Sequence, residues 1–367
     1  MRKLIYFTMV DKSKEPGIYK KVRCQKESFD RLGIDSQLIF HENGDFYAND
    51  LYIGFESQTA LMRLKNRFFI PNVVMNYLKA QSFDYLYIRK FFINWDLIQL
   101  SSYFNKINVK VIIDIPTYPY KSELSGFLNN LIYYHENYYS KFLKKFIPYI
   151  SYIGKDYSKI WGIDTIPMSN GVDLNKVKIS DRKIDDKIIR FLGVANLASW
   201  HGYERFIYSM KNLEPELLSG IHFDIVGYGP CFEYLKTVID DCHLNENVTL
   251  YGNLLGKELD DIFNSANIGV DALAMYKVDL YETSSLKTRE YAARGIPFIL
   301  SCNDPAYPKD CQFIFRVPNS HEFIDIRSIC NWYKSDTPES SEIRLFAEQN
   351  LSWDKQMKKV LDKFNLS

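Results

Sequence analysis

Length, composition and charge set the first limits on this chain. Its 367 residues suffice for about two domains, each with a core of its own. The 46 Lys and Arg residues nearly balance 45 Asp and Glu residues, so the overall charge favours neither a nucleic-acid partner nor a strongly acidic one. No apolar run approaches the ~20 residues that cross a bilayer. We therefore expect a soluble protein that at most lies on a membrane surface, and the six scattered cysteines, with no C-x-x-C pair, favour a reduced chain in the cytoplasm.

Short β-rich segments alternate with helical patterns along most of the chain. The predicted strands of the first half are KLIYFTM, DSQLIF, DYLYIR, VKVIIDI and YISYIG, and those of the second half are IIRFLGVA, FDIVGYG, VTLYG, IGVDAL and PFILS. Segments such as Ile18–Arg31 and Cys231–Cys242 lie between strands and carry mixed apolar and charged faces. This alternation predicts two α/β domains whose parallel sheets are covered by helices on both faces.

A polar, charge-rich stretch from Asn170 to Lys187 interrupts the alternation. We expect one domain over residues 1–169 and a second over residues 170–349, with ligands bound in a cleft at the carboxyl ends of the strands. Residues 350–367 are predicted to form a final amphipathic helix. Its apolar stripe contains Trp353, Met357, Val360, Leu361 and Phe364.

Three predicted turns from strand to helix combine small residues with cations. The stretch TSSLKTREYAARG predicts a helix that begins near Thr283 or Ser284 and stops at Gly295. Lys287 then lies in the first turn, where the helix dipole disfavours a cation unless an anion is also bound. Pro16-Gly17 precedes Lys20 and Lys21 in the same way, and Gly202 lies between His201 and Arg205.

Together these turns favour a ligand that carries a diphosphate group. An ordinary structural role stays open at each of them. A solvated face through Lys287, Glu290 and Arg294 would be stabilised by roughly a few tenths of a kcal/mol per ion pair.

Five segments occur in the order expected of glycosyltransferase family 4, and the chain resembles that family from about Ile166 to Ser301. The segments are IPMSNGVD, GVANLASWHGYERF, FDIVGYGP, VTLYGNL with KELDDIFNSANIGV, and YETSSLKTREYAARGIPF. The first half matches more loosely, through PGIYKKV and IDIPTYPYKSEL, and is similar there to transferases of bacterial surface-polysaccharide assembly. The resemblance implies the α/β GT-B fold, with two Rossmann-like doubly wound parallel-sheet domains facing across a cleft. It also implies that the final helix crosses back to the first domain.

The resemblance assigns roles to two glutamates. Glu290 would accept hydrogen bonds from the ribose hydroxyls of the donor, and Glu282 would hold hydroxyls of the donor sugar. The amides of Ser284, Ser285 and Leu286 would face the diphosphate. The remaining residues expected at the donor are Gly17, Asn196, His201, Gly227, Gly252 and Asn253.

One departure from the family concerns the turn that grips the phosphates, where Asn196 and His201 replace the usual Arg and Lys. The departing diphosphate still needs positive partners. We expect Arg205 and Lys287 to supply them, with His201 helping if it is protonated. The predicted catalytic residues are therefore Glu282, Lys287 and Arg205.

The implied reaction is a retaining, hexosyltransferase-type transfer from a UDP- or GDP-linked sugar, with no metal and no cofactor. The chain contains no Asp-x-Asp pair, and its histidines lack metal-ligand spacing. A lipid-linked oligosaccharide or glycan at the inner face of the cell membrane is the expected acceptor, for capsule or exopolysaccharide synthesis, with His135 and Tyr118 on the acceptor side. No nucleic acid is expected. Two other hypotheses stay open, namely a nucleotide-sugar epimerase or hydrolase on the same scaffold and a non-catalytic sugar-nucleotide-binding protein.

Overall fold

The computed structural model describes residues 1–56, 59, 69–119, 127–180 and 187–364. The chain divides into two compact units. The first contains Met1–Ser169 together with the residues from Trp353 onward, and the second contains Asn170–Ser352. Each unit is built on its own sheet, so each is described separately.

In the described part of the first unit, nine strands form one sheet in the order β4–β3–β2–β1–β5–β6–β7–β9–β8. The strands are β1 (Lys3–Asp11), β2 (Asp35–Glu42), β3 (Asp45–Ala48), β4 (Leu51–Phe55), β5 (Tyr85–Arg89), β6 (Lys110–Tyr118), β7 (Tyr149–Gly154), β8 (Lys159–Ile160) and β9 (Ile163–Met168). The six central strands of this order, β2, β1, β5, β6, β7 and β9, pair in parallel. Strands β3, β4 and β8 pair in antiparallel fashion at the two edges.

Helices cover both faces of this sheet: α1 (Pro16–Arg31), α2 (Asn72–Ala80), α3 (Trp95–Lys106), α4 (Phe127–Leu143) and the C-terminal helix (Trp353–Asp362). Alternate residues of each central strand enter different cores, as the two-residue period of a strand requires. Leu4 and Tyr6 pack with Trp353 in one core, whereas Ile5 and Phe7 belong to the other. The five residues of the predicted C-terminal stripe are all buried.

The sheet of the second unit has the order β12–β11–β10–β13–β14–β15, and all of its strand pairs are parallel. The strands are β10 (Ile189–Val194), β11 (Ile221–Val226), β12 (Val248–Gly252), β13 (Ile268–Val270), β14 (Phe298–Leu300) and β15 (Ile314–Arg316). The helices are α5 (Tyr203–Lys211), α6 (Pro215–Leu218), α7 (Phe232–Cys242), α8 (Gly256–Ser265), α9 (Leu286–Arg294), α10 (Ile326–Ser335) and α11 (Ser340–Asn350). They enclose one core around Phe206 and Phe223 and another around Phe263 and Tyr291.

The prediction of two α/β domains with parallel sheets is confirmed, and all ten predicted strands are present. The sequence analysis missed the short strands β3, β4, β8, β9 and β15. Two of these additions arise at tight turns with positive φ, at Asn43-Gly44 before β3 and at Trp161-Gly162 before β9. Such turns suit antiparallel hairpins. The Asn-Gly pair was therefore a usable hairpin signal in the sequence.

The helices described in the two units include none that combines the length and the apolar character needed to cross a membrane.

Candidate functional site

The loops that follow β10, β11 and β12 are joined to one another at the carboxyl edge of the second sheet. Ala195 N donates a hydrogen bond to Val226 O (2.9 Å), and Gly227 N donates one to Gly252 O (2.7 Å). Parallel strands bring such loops to one edge, where ligands bind in doubly wound sheets. The predicted donor residues Asn196, Gly227, Gly252 and Asn253 therefore lie on linked loops.

Gly227 is required by this close approach of two loops. Its φ is +123°, and a Cβ at this position would lie 1.8 Å from Ala195 O. No other residue fits such a conformation beside a backbone carbonyl. Gly17 in the first unit differs, because a Cβ there would meet no described atom within 4 Å.

Helix α9 presents an uncapped amino terminus at the same edge of the sheet. It begins at Leu286, slightly later than predicted, and ends at Gly295, which has a φ of +74° as predicted for a helix stop. No side chain caps its first turn, so the amide N–H groups there lack intrahelical partners. Together with the helix dipole they provide a site for an anion.

Lys287, in the first turn of α9, is paired with a carboxylate that the sequence analysis missed. Its Nζ lies 3.1 Å from Asp271 Oδ1, and the side chains are 18% and 3% exposed. The Ser285 hydroxyl donates to the same Asp271 oxygen (2.9 Å). Asp271 directly follows β13. An acidic residue at the carboxyl end of a buried strand was the available signal for its role.

His201 was expected to help bind the diphosphate if it is protonated, and its lowered pKa does not favour that condition at neutral pH. Burial and the nearby charge of Lys287 lower its pKa to about 3. Its Nδ1 accepts a hydrogen bond from Ala198 N (3.0 Å). The proton of the neutral ring therefore resides on Nε2.

Arg205 was expected to contact the diphosphate, and in the structure its guanidinium contacts backbone carbonyls. Its guanidinium donates to Leu273 O (2.8 Å), to Pro318 O (2.9 Å) and to Glu322 O. The residue is 5% exposed. Its remaining Nη2 is buried and has no hydrogen-bond partner among the described residues. Arg205 thus connects two loops from within, and Lys287 is left as the predicted cation at the helix start.

Glu290 lies one helical turn before Arg294 and forms a salt bridge with it, as one part of the predicted solvated face required, whereas Arg294 is buried and Lys287 pairs with Asp271 instead. Arg294 donates two hydrogen bonds to Glu290 Oε1, one from Nε (3.2 Å) and one from Nη2 (3.0 Å). Arg294 is itself anchored by Asp260 (2.6 Å) and by the ring of Phe263, 4.0 Å from the guanidinium carbon. Among the described residues, no hydrogen bond reaches Glu290 Oε2. That oxygen is available to a ligand.

Glu282 is held in the loop before α9 by its neighbour across an isolated β-bridge, Asn303. Asn303 Nδ2 donates to Glu282 Oε2 (3.1 Å), and Thr283 N donates to Asn303 O (2.8 Å). These bonds fix the backbone and the carboxylate of Glu282 together.

A buried network behind α9 involves residues that the sequence analysis did not single out. Arg289 and Asp304 are both fully buried and form a bidentate ion pair. Arg289 also donates to Asn170 O (3.1 Å) and to the Ser284 hydroxyl (3.1 Å). Asn170 N donates to that same hydroxyl (2.8 Å). The Ser284 side chain is thus committed to structure, which leaves backbone amides as the donors at the helix start.

The two residues predicted on the acceptor side belong to different aromatic clusters of the first unit. Tyr118 contacts the ring of Tyr157, with centroids 5.1 Å apart. His135, on α4, stacks on Phe92 (5.2 Å) and contacts Tyr139 (4.5 Å).

Part of the second unit matches the model of a known protein family. Residues 176–309 match the family model described as "Glycosyl transferases group 1". This range includes the linked loops, Asp271 and all of α9. No curated protein sequence matches the chain.

Solved structures similar to the chain are GT-B glycosyltransferases. Sucrose-phosphate synthase from Thermosynechococcus elongatus has a TM-score of 0.69 and 14% identity, and the match covers 100% of this chain and 98% of that one. HepE from Anabaena, in complex with UDP, has a TM-score of 0.62, 12% identity and full coverage of both chains. WaaG, a glycosyltransferase involved in lipopolysaccharide biosynthesis, has a TM-score of 0.55 and 14% identity, with 100% and 96% of the chains covered. At these identities the likeness shows the fold.

We predict that replacing Arg289 with Met lowers the free energy of unfolding of the second unit by about 3–5 kcal/mol, because Asp304 is left buried without a partner. Urea denaturation measures the change. The control is Arg327→Met, which removes an exposed pair with Glu214 and should change the stability little, because exposed ion pairs contribute weakly. If the two substitutions lowered the free energy of unfolding equally, the buried pair would contribute no more to stability than the exposed one, and the prediction would be wrong.

We also predict that His201 contributes to acid sensitivity. The folded protein keeps this ring neutral until the pH approaches its pKa of about 3, whereas the unfolded chain protonates it near the ordinary value of about 6.5. Stability from this residue is therefore full above about pH 6.5 and falls as the pH drops towards 3. The urea midpoint should fall between pH 7 and pH 5, and this fall should be smaller for His201→Gln than for the wild type. The exposed control His321→Gln should follow the wild type, and an unchanged pH dependence in His201→Gln would contradict the prediction.

Proposed function

We propose that the protein is a retaining glycosyltransferase that moves a hexosyl group from a UDP- or GDP-linked donor to a lipid-linked oligosaccharide or glycan. One observation carries the proposal: the uncapped start of α9, with Lys287 held beside it by Asp271, lies between Glu282 and Glu290. This segment falls within the range matched by the glycosyl transferase family model. Membership of glycosyltransferase family 4 is part of the proposal.

The first-turn amides of α9 and the Lys287 ammonium are the groups that receive the donor diphosphate. Negative charge accumulates on this group as the glycosidic bond to the sugar breaks, and preorganised donors stabilise that charge most effectively. Asp271 holds the lysine in position, so little reorganisation is needed when the donor binds. His201 contributes a neutral Nε2–H donor, because its Nδ1 is occupied by Ala198 N.

The two glutamates orient the ends of the donor. Glu290 offers its unoccupied Oε2 to the ribose hydroxyls while Arg294 holds Oε1. Glu282, fixed by Asn303, accepts hydrogen bonds from hydroxyls of the transferred sugar. Ionised carboxylates act as acceptors only, which suits them to hydroxyl donors.

Transfer with retention follows if the acceptor hydroxyl attacks from the face that the diphosphate leaves. A phosphate oxygen then takes the acceptor's proton, and neither glutamate has to act as a nucleophile. This differs from glycoside hydrolysis, in which two carboxylates flank the bond as acid and as nucleophile or base. In this mechanism amides and Lys287 neutralise the leaving group, so no metal or cofactor takes part.

A role in surface-polysaccharide synthesis, such as that of capsule or exopolysaccharide, places the acceptor at the inner face of the cell membrane. Helix α4 supports this placement with one exposed stripe at helical spacing that consists of Leu131, Tyr134, Tyr138 and Lys141. Apolar and aromatic side chains next to lysines suit the headgroup region of an anionic membrane. The proposal therefore places the protein in the cytoplasm, bound peripherally to the membrane.

The donor site is tested by the thermal shifts that UDP, GDP, ADP and CMP produce, each with and without EDTA. We expect one nucleoside diphosphate to raise the melting temperature regardless of EDTA. Glu290→Ala and Lys287→Ala should each weaken its binding by about 1.5–3 kcal/mol, since a hydrogen bond to a charged group is lost. The exposed controls Glu216→Ala and Lys236→Ala should keep the shift. No shift with any nucleotide would refute the donor site.

The reaction itself is tested with the nucleotide sugar identified in this way and a lipid-linked acceptor. We expect transfer in EDTA, with the anomeric configuration of the donor preserved in the product as determined by NMR. Rapid donor turnover without acceptor would favour an epimerase or hydrolase instead. Donor binding without turnover on any acceptor would favour a non-catalytic binding protein.

A further inference from the structure

The first unit contains a pocket that the donor chemistry does not use. Its volume is about 510 Å³, which is within the usual range for small-molecule sites. One wall is the segment 92–96, which connects β5 to the first turn of α3. The facing wall belongs to α4 and presents Leu131, Ile132, His135 and Tyr139, and Phe69 adds a further side.

A buried ion pair holds these two walls together. Lys90 Nζ lies 2.9 Å from Glu136 Oε1, and the side chains are 10% and 3% exposed. The same Glu136 oxygen accepts a hydrogen bond from Ile93 N (3.0 Å). Lys90 and Ile93 belong to the loop after β5, and Glu136 belongs to α4. The pocket is therefore formed before any ligand arrives, which reduces the entropic cost of binding.

Two polar side chains of the lining are hydrogen-bonded within the walls. Asn94 Oδ1 accepts a hydrogen bond from Leu97 N (3.1 Å) as the cap of α3, and Asp96 Oδ2 accepts one from Ile70 N (3.2 Å). The His135 ring contacts the rings of Phe92 and Tyr139 and is otherwise exposed. Most of the lining surface is apolar, so a sugar buried here would regain only part of the hydrogen bonds that it loses to water. An apolar ligand gains from burial against the remaining aromatic and aliphatic surface.

The mouth of the pocket is also apolar. Phe69, Trp95 and Leu131 are 46%, 53% and 51% exposed, although each contributes to the lining. Exposed apolar groups collected around a concavity are typical of a binding site. Leu131 also begins the exposed stripe of α4, which continues with two tyrosines and reaches Lys141. The mouth therefore opens beside a surface suited to polar, negatively charged headgroups.

We infer that this pocket binds the hydrocarbon chain of a single amphiphilic molecule and leaves its polar head outside, next to the α4 stripe. The inference rests on the proposed function for the identity of that molecule, which would be the lipid-linked acceptor. A membrane lipid has the same chemistry and could occupy the pocket instead. The pocket would thus select acceptors by their lipid, independently of the sugar that they carry.

The test uses dodecyl β-maltoside below its micelle concentration as a single-chain probe and maltose as the matched probe without a chain. Tryptophan fluorescence and calorimetry follow binding to the full-length protein. We expect the detergent to bind and maltose not to bind. Leu131→Asp, which puts a charge at the exposed mouth, should weaken detergent binding about tenfold or more. Ile107→Asp, at an exposed apolar residue outside the pocket, should leave binding unchanged.

A second comparison separates the pocket from the membrane surface. Tyr134→Asp alters the α4 stripe outside the pocket lining and should weaken binding to phosphatidylglycerol vesicles while detergent binding persists. Competition between vesicle lipid and detergent for the Leu131-dependent site would identify a membrane lipid as an occupant and still support a chain site. Equal binding of maltose and detergent, or detergent binding that is insensitive to Leu131→Asp, would overturn the inference. Nucleotide shifts measured on the same samples show whether the donor site is intact, so the two proposals fail separately.

Discussion

The ion pair between Arg289 and Asp304 holds together the segments from which the candidate donor site is built. Arg289 extends from α9, Asp304 lies beyond β14, and the same guanidinium reaches Asn170 O and the Ser284 hydroxyl. Burying two charges is costly, and the attraction between them offsets that cost only when the geometry and the additional hydrogen bonds are good. Here four partner groups satisfy the guanidinium. The loop before α9 is consequently fixed where its amides are needed.

The charges at the front of the site are balanced in a different way. Lys287 occupies a position that the helix dipole disfavours, and Asp271 compensates for this with a direct ion pair. The same positive charge contributes to the low pKa of His201. One cation, one carboxylate and one neutral imidazole therefore meet at the start of α9. A diphosphate that binds there would meet the positive charge of Lys287, which Asp271 already partly neutralises. Such a balance of charges favours reversible binding of both donor and product.

The first unit uses a buried ion pair for a comparable purpose. Lys90 and Glu136 join the loop after β5 to α4 and shape the pocket between them. In both units, a buried charged pair beneath the candidate site connects a loop to a helix.

The sequence by itself determined the fold class, because strand-length apolar runs alternate with amphipathic helical segments and can bury both faces only in parallel, helix-covered sheets. It also predicted the end of α9 at Gly295, since a helix stop depends on local backbone preference. Only the tertiary structure decided the contacts of Asp271, Arg205 and His201. Their partners come from distant parts of the chain, and burial, which sets hydrogen bonding and pKa alike, has no local signature in a sequence.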